Sequence, residues 1–220
     1  MTLNQQIVEV IPLFAVPLVQ MKFDCGDQIR KVLNDTKTVD TGAPQMYGLR
    51  SSNTNVLNLP QCKPLADFIK MQALNMCKNI LAYDIENLQY TMSWISVKQP
   101  NQYHTPHTHP NSVISGVYYF YEEENVPLDG IYFEKTNGLG GNTISIPLKD
   151  EKVKDCPMSW SYYKVNPTRD LLLLFPSYLP HRVDTNVSKI DRKSLAFNLI
   201  PTKMLGSVDE LTVLKYSELK

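Results

Sequence analysis

The sequence predicts a mainly β domain, a sandwich or barrel with covering helices at its N-terminal side. Three observations carry this. The texture of the chain changes near residue 90, from helical periodicity to short apolar runs. Beyond that point seven segments are rich in β-branched and aromatic residues and are separated by Pro, Gly, Asn or Asp. Before it, an apolar stripe follows Pro64 and needs a surface to cover, which a sheet face rich in Tyr, Trp and Leu supplies.

Taken in order, the opening "NQQIVEVIPLFAVPLVQMKF" is apolar but lacks a basic leader, and Glu9, Pro12 and Pro17 interrupt it; it reads as an ordered, extended segment and not as a signal peptide. Ile29, Val32 and Leu33, spaced i, i+3, i+4, mark a short helix. A longer one begins at Pro64, a residue suited to a first helical turn because its missing N–H has no partner there. Its stripe is Leu65, Phe68, Ile69, Ala73, Met76, Cys77, Ile80 and Leu81, which is core and not a cofactor box. The strands are expected at 90–97, 112–121, 130–135, 142–147, 160–165, 170–175 and 193–200, and their spacing is that of a sandwich or barrel. "GLGGN" at 138–142 lacks the strand–loop–helix context and the Lys of a phosphate loop, so it is a turn.

The chain has 220 residues, 43% of them apolar, with 22 basic and 22 acidic side chains. This neutral balance gives no field that would recruit nucleic acid or an anionic membrane. Without a run of ~20 apolar residues, no membrane span is expected. Cys25, Cys62, Cys77 and Cys156 are widely spaced with no C-x-x-C pair, which fits neither a disulfide scaffold nor a zinc site and suggests a reducing, cytoplasmic home.

His104, His107 and His109, three of the four histidines, fall within six positions before the strand at 112–121. The fourth, His181, follows "LLLLFPSYLP", a buried strand and its closing turn. Two separated strand ends thus present imidazole, which suits Fe, Zn, Cu and Ni; three protein ligands with open positions is the usual catalytic arrangement. A solvated His-Thr-Pro loop is the competing account. Against it, His107 and His109 at i, i+2 direct both rings to one side where a strand ends.

The histidine-rich turn followed by "SGVYYF", then "FPSYLPHRV" and "RKSLAFN", with "SSNTNVLNLP" ahead of the long helix, resembles the Fe(II)/2-oxoglutarate-dependent oxygenases of the prolyl-hydroxylase-like kind, and among them a bacterial and phage branch. The resemblance spans most of 45–201. It implies a double-stranded β-helix, or jelly roll, whose open end holds iron, in a single oxygenase-like domain over 1–220: a helical cover (1–89), a jelly-roll core (90–201) and a C-terminal extension (202–220).

The resemblance also implies the site. The family's ligands are His-x-Asp/Glu and a distant His, which map to His107, His109 and His181, so an imidazole stands where a carboxylate is usual. That raises the charge of the iron site by one and favours anionic ligands. Glu134 is a substitute carboxylate or a solvated edge charge, and His104 a supporting group or a substrate contact. The basic residue that holds the far carboxylate of 2-oxoglutarate maps to Arg192, whose planar fork suits a carboxylate; the alternative is a surface ion pair with Asp191. Ser194 and Asn198 share its face at period 2. Arg182 points to the other face as a structural residue, and one of Tyr118 and Tyr119 faces the pocket.

The implied reaction is dioxygenase chemistry with Fe(II) and 2-oxoglutarate, releasing succinate and CO2 as an unidentified small-molecule or peptidyl substrate is hydroxylated, with a homodimer admitted as the assembly. Two other classes compete: a three-histidine cupin-type metalloenzyme that does not use 2-oxoglutarate, and a non-catalytic jelly-roll binding protein.

Overall fold

The computed structural model describes residues 15–123, 130–135, 157–207 and 209–215. The expected strand at 142–147, the turn at 138–142 and Cys156 lie outside them.

Strand β1 (Val19–Lys22) precedes helix α1 (Gly26–Asp35), which is followed by β2 (Thr38–Asp40), the single turn α2 (Pro44–Tyr47) and β3 (Leu49–Ser51). Helix α3 (Lys63–Asn75) runs into a π turn at Met76–Ile80. Next come β4 (Leu88–Lys98), β5 (His104–His107), β6 (Ile114–Tyr118), β7 (Ile131–Glu134), β8 (Tyr162–Val165), β9 (Leu171–Pro176), β10 (His181–Val183) and β11 (Arg192–Pro201). A small hairpin, β12 (Met204–Leu205) with β13 (Leu214–Lys215), lies in the C-terminal extension.

Among the described residues the strands form a seven-stranded sheet, β1-β9-β6-β11-β4-β3-β2, and a four-stranded sheet, β5-β10-β7-β8. Every paired strand in the two is antiparallel. This is the jelly-roll class that the sequence suggests, but the large sheet also takes β1, β2 and β3 from the N-terminal 89 residues. Strands of three or four residues carry too little alternation to stand out in a sequence.

The large sheet contributes apolar residues to a core on each face, because alternate residues of its strands point in opposite directions. On β9, Leu172 and Leu174 join the cluster formed by Ile29, Leu33, Leu65, Ile69, Ala73 and Met76 of the helical segments. Leu171, Leu173 and Phe175 join the second cluster, with Ile131 and Phe133 of the small sheet. The run of four leucines therefore fills two cores at once. On β11, Leu195, Phe197 and Leu199 belong to the helix side. This leaves Arg192, Ser194, Ala196 and Asn198 for the face toward the small sheet. At Gly116 a Cβ would sit 2.3 Å from the Phe197 ring and 2.6 Å from the Leu173 carbonyl oxygen, so only glycine admits that ring.

One member of the expected helical stripe is out of place: Ile80 is 52% exposed. Leu81 N donates to Met76 O, the five-residue step of a π turn, which carries Ile80 out of the stripe while Leu81 still packs against the core.

Candidate metal centre

Register brings the histidines together. In the small sheet β10 is flanked by β5 and β7, and His181 pairs with His107 on one side and Phe133 on the other. The turn after β9 is held by Leu179 N donating to Pro176 O and Ser177 N to Val113 O, and it returns the chain to begin β10 with His181. His109 lies two residues beyond β5. Its N–H donates to Ser177 O, and its carbonyl accepts from Ser112 Oγ, so the two loops that carry His109 and His181 are tied together.

One ring nitrogen from each of His107, His109 and His181 lies within 4.8 Å of the others. His109 Nε2 and His181 Nε2 are 3.2 Å apart. Two imidazole nitrogens that share an ion at about 2.0–2.1 Å stand roughly 2.8–3.4 Å apart for angles of about 90–109°, so the spacing fits a shared metal. The remaining ring nitrogens fit it too. His107 Nδ1 lies 2.8 Å from Thr105 O and His181 Nδ1 3.0 Å from Leu179 O. A carbonyl only accepts, so each Nδ1 carries the proton and each Nε2 presents a lone pair, the orientation that metal-ligating histidines use.

The surroundings keep these rings neutral. Phe175 meets His181 edge-on at 4.9 Å and Phe133 lies 6.2 Å away. Burial, then the neighbouring His107, pushes His181 down to about 3 and His109 down to about 4; burial also lowers His107. A ligand must be unprotonated to bind metal, so burial favours the form of these rings that can do so. His104 stacks on His107 at 4.1 Å and is met edge-on by Tyr47 at 5.2 Å. It backs the cluster and is not one of the three converging groups.

The histidines open onto a pocket of about 60 Å³, on whose wall Arg192, Ser194, Trp94, Lys98 and Tyr119 also lie. Arg192 is 5% exposed; one Nη donates to Tyr119 Oη at 2.9 Å, and its Nε is buried without a partner. A buried guanidinium with an unused donor can still accept an anion as a partner. Asp191 is exposed and forms no ion pair with it. Of the tyrosine pair, Tyr119 faces the pocket, whereas Tyr118 turns to the helix side and donates to Phe23 O and Asp170 Oδ1.

Asn198 is not on the pocket wall: its Oδ1 accepts from Ser115 Oγ at 2.8 Å, behind the site. Glu134 is held by Arg182 Nε at 2.7 Å, and Arg182 stacks over Tyr132, away from the cluster. Glu134 is therefore not among the converging ligands. Lys98 was not among the expected site residues: it lies one residue beyond the strand expected at 90–97, and the inward parity of Trp94 and Ser96, both on the pocket wall, is the signal that points to it.

Residues 92–198 match the model of a family described as "Putative 2OG-Fe(II) oxygenase". In fold the chain is similar to a prolyl-4-hydroxylase of Pseudomonas putida, with a TM-score of 0.56 and 15% identity, covering 84% of this chain and 94% of that one. It is similar to the non-heme α-ketoglutarate dependent carbocyclase SnoK from nogalamycin biosynthesis, with a TM-score of 0.59 and 13% identity over 86% and 81% of the chains. A Trichoplax adhaerens prolyl hydroxylase in complex with a hypoxia inducible factor peptide fragment gives 0.54 and 14% over 84% and 83%. No curated protein sequence matches the chain.

Proposed function

We propose that this chain, which belongs to the 2OG-Fe(II) oxygenase family through its residues 92–198, is a dioxygenase that converts 2-oxoglutarate to succinate and CO2 while hydroxylating a second substrate. The observation that carries the reading is one pocket holding both halves of the requirement: three neutral imidazoles that converge on a point, and a buried arginine with an unused donor. Iron(II) with 2-oxoglutarate would supply oxygen activation there.

The chain's own residues do the rest. His107, His109 and His181 offer three nitrogens and leave further coordination positions to ligands from the pocket. The backbone carbonyls of Thr105 and Leu179 hold two of the rings in the required tautomer. Arg192, steadied by the Tyr119 hydroxyl, is positioned to bind the far carboxylate, with Ser194 beside it on the same face. Phe133 and Phe175 exclude water from the side of His181. Asn198 acts by holding Ser115, and through it Ser177, on the loop that leads to His181.

The reading extends to a peptidyl or small-molecule substrate, a cytoplasmic setting and a homodimer. No helix among the described residues is long and apolar enough to cross a membrane. A second reading is favoured by one feature, the imidazole of His109 where the family resemblance expects a carboxylate: a cupin-type enzyme that uses three histidines and no 2-oxoglutarate. The two separate on one experiment, anaerobic addition of 2-oxoglutarate to the iron-loaded protein followed by oxygen. A keto-acid charge-transfer band and succinate support the first; metal-dependent oxygen uptake with neither supports the second.

A further inference from the structure

Lys98 is the second buried cation of this pocket. It ends β4 directly opposite Arg192 on β11, and the two residues are 3% and 5% exposed. Like charges directly opposite on neighbouring strands are destabilising, and burial makes each harder to leave without an anion. Among the described residues neither cation has a carboxylate partner, and the pocket wall contains no Asp or Glu.

Lys98 is nevertheless firmly built in. Its Nζ donates to Tyr47 O and to Ser96 Oγ at 3.2 Å, and its carbonyl accepts from Asn186 Nδ2 at 2.9 Å. Gly48, at φ +63°, packs against this strand end so closely that a Cβ there would lie 2.2 Å from Val97 O and 3.2 Å from Lys98 Cδ. An ammonium has three donors, and two are used. Lys98 shares one pocket with Arg192, His104 and His107; the Arg192 charge acts on it, and its own charge acts on the two imidazoles.

We propose that Lys98 is a second carboxylate-binding residue of the 2-oxoglutarate subsite, sharing the far carboxylate with Arg192. The inference rests on the function proposed above. A carboxylate offers about four lone-pair sites on two oxygens, so it can accept from the free Arg192 Nε and from the third Lys98 proton together. The adjacent cations, unfavourable when the pocket has no anion, then become a preference for an acid with a second carboxylate over one without.

The test is calorimetric titration of the anaerobic, iron-loaded protein with 2-oxoglutarate and, separately, with pyruvate, which keeps the keto-acid end and lacks the far carboxylate. Lys98→Met should weaken 2-oxoglutarate by about tenfold or more, as expected for loss of a charge-assisted hydrogen bond, and leave pyruvate as in the wild type. Lys98→Arg should recover most of the loss. Lys98→Gln, which keeps a polar end but removes the charge, serves if the methionine variant does not fold. Wild-type affinity for 2-oxoglutarate in the Met or Gln variant overturns the inference, as does an equal loss for both acids. If Arg192→Met alone weakens 2-oxoglutarate, the proposed function stands without Lys98; if the wild type binds no 2-oxoglutarate, both fall.

Discussion

His109 Nε2 lies 3.2 Å from His181 Nε2, although the two residues are 72 positions apart. The loop that carries His109 is fastened by its N–H to Ser177 O, four residues ahead of His181. The contact is therefore a product of the β9–β10 turn and not of local sequence.

This contact predicts that the three rings bind one divalent ion as a unit. Replacing His107 or His181 by Ala should lower metal content from one ion per chain to a small fraction, measured by elemental analysis of protein whose circular dichroism is unchanged. Full metal content in either variant would place the ion elsewhere.

His109→Asp would put a carboxylate at the position where an imidazole now stands. The prediction is retained iron with altered metal preference or faster uncoupled oxygen uptake, read by metal competition and an oxygen electrode. Loss of iron altogether would show that the imidazole is needed for geometry, as in a three-histidine enzyme.

Arg192→Ala should weaken 2-oxoglutarate by about 10- to 150-fold, the equivalent of a hydrogen bond to a charged group worth about 1.5–3 kcal/mol. Metal content should not change, because Arg192 lies on the pocket wall and not in the imidazole cluster.

Lys98 gives a pH dependence. Burial, then Arg192, pushes its ammonium down to about 8 from an ordinary 10.5. Between those values the unfolded chain holds a proton at this position that the folded chain has released, so stability from this group rises with pH across about 8 to 10.5 and is flat below. The difference in melting temperature between wild type and Lys98→Met should therefore shift in favour of the wild type as pH rises from 8 to 10. A difference that does not change with pH would mean that Lys98 titrates as an ordinary lysine.

Gly116→Ala tests the packing behind the site. Its Cβ would enter the Phe197 ring at 2.3 Å, and overpacking of this kind costs about 1–3 kcal/mol. Chemical denaturation should show it; an unchanged midpoint would mean that Phe197 moves aside freely.

How much of this was legible in the sequence depends on residue type and on distance along the chain. The long strands were visible because "LLLLF" and "KSLAFNLI" are too apolar or too regular to be anything else, and the order of the histidine segments, with "RKSLAFN" after them, pointed to a site. Arg192 came from the family resemblance, and Ser194 followed from it by period 2 along one strand; both lie on the pocket wall. The same rule overreached at Asn198, which shares their parity but is turned to Ser115 beside an irregularity in the β4–β11 register at Asn198/Leu199. Ile80 was misassigned because a π turn breaks the 3.6-residue period on which the stripe was built. Lys98 shares the inward parity of Trp94 and Ser96, but its pairing with Arg192, 94 residues away, is a matter of register that neither strand carries alone.

The most direct measurement is 2-oxoglutarate turnover by the wild-type protein loaded with iron(II). The keto acid is added under argon while the visible charge-transfer band is followed, oxygen is then admitted, and succinate is quantified. The account predicts a band that saturates at one equivalent per chain, and succinate formed in proportion to oxygen consumed. With full iron occupancy, no band and no succinate would contradict it.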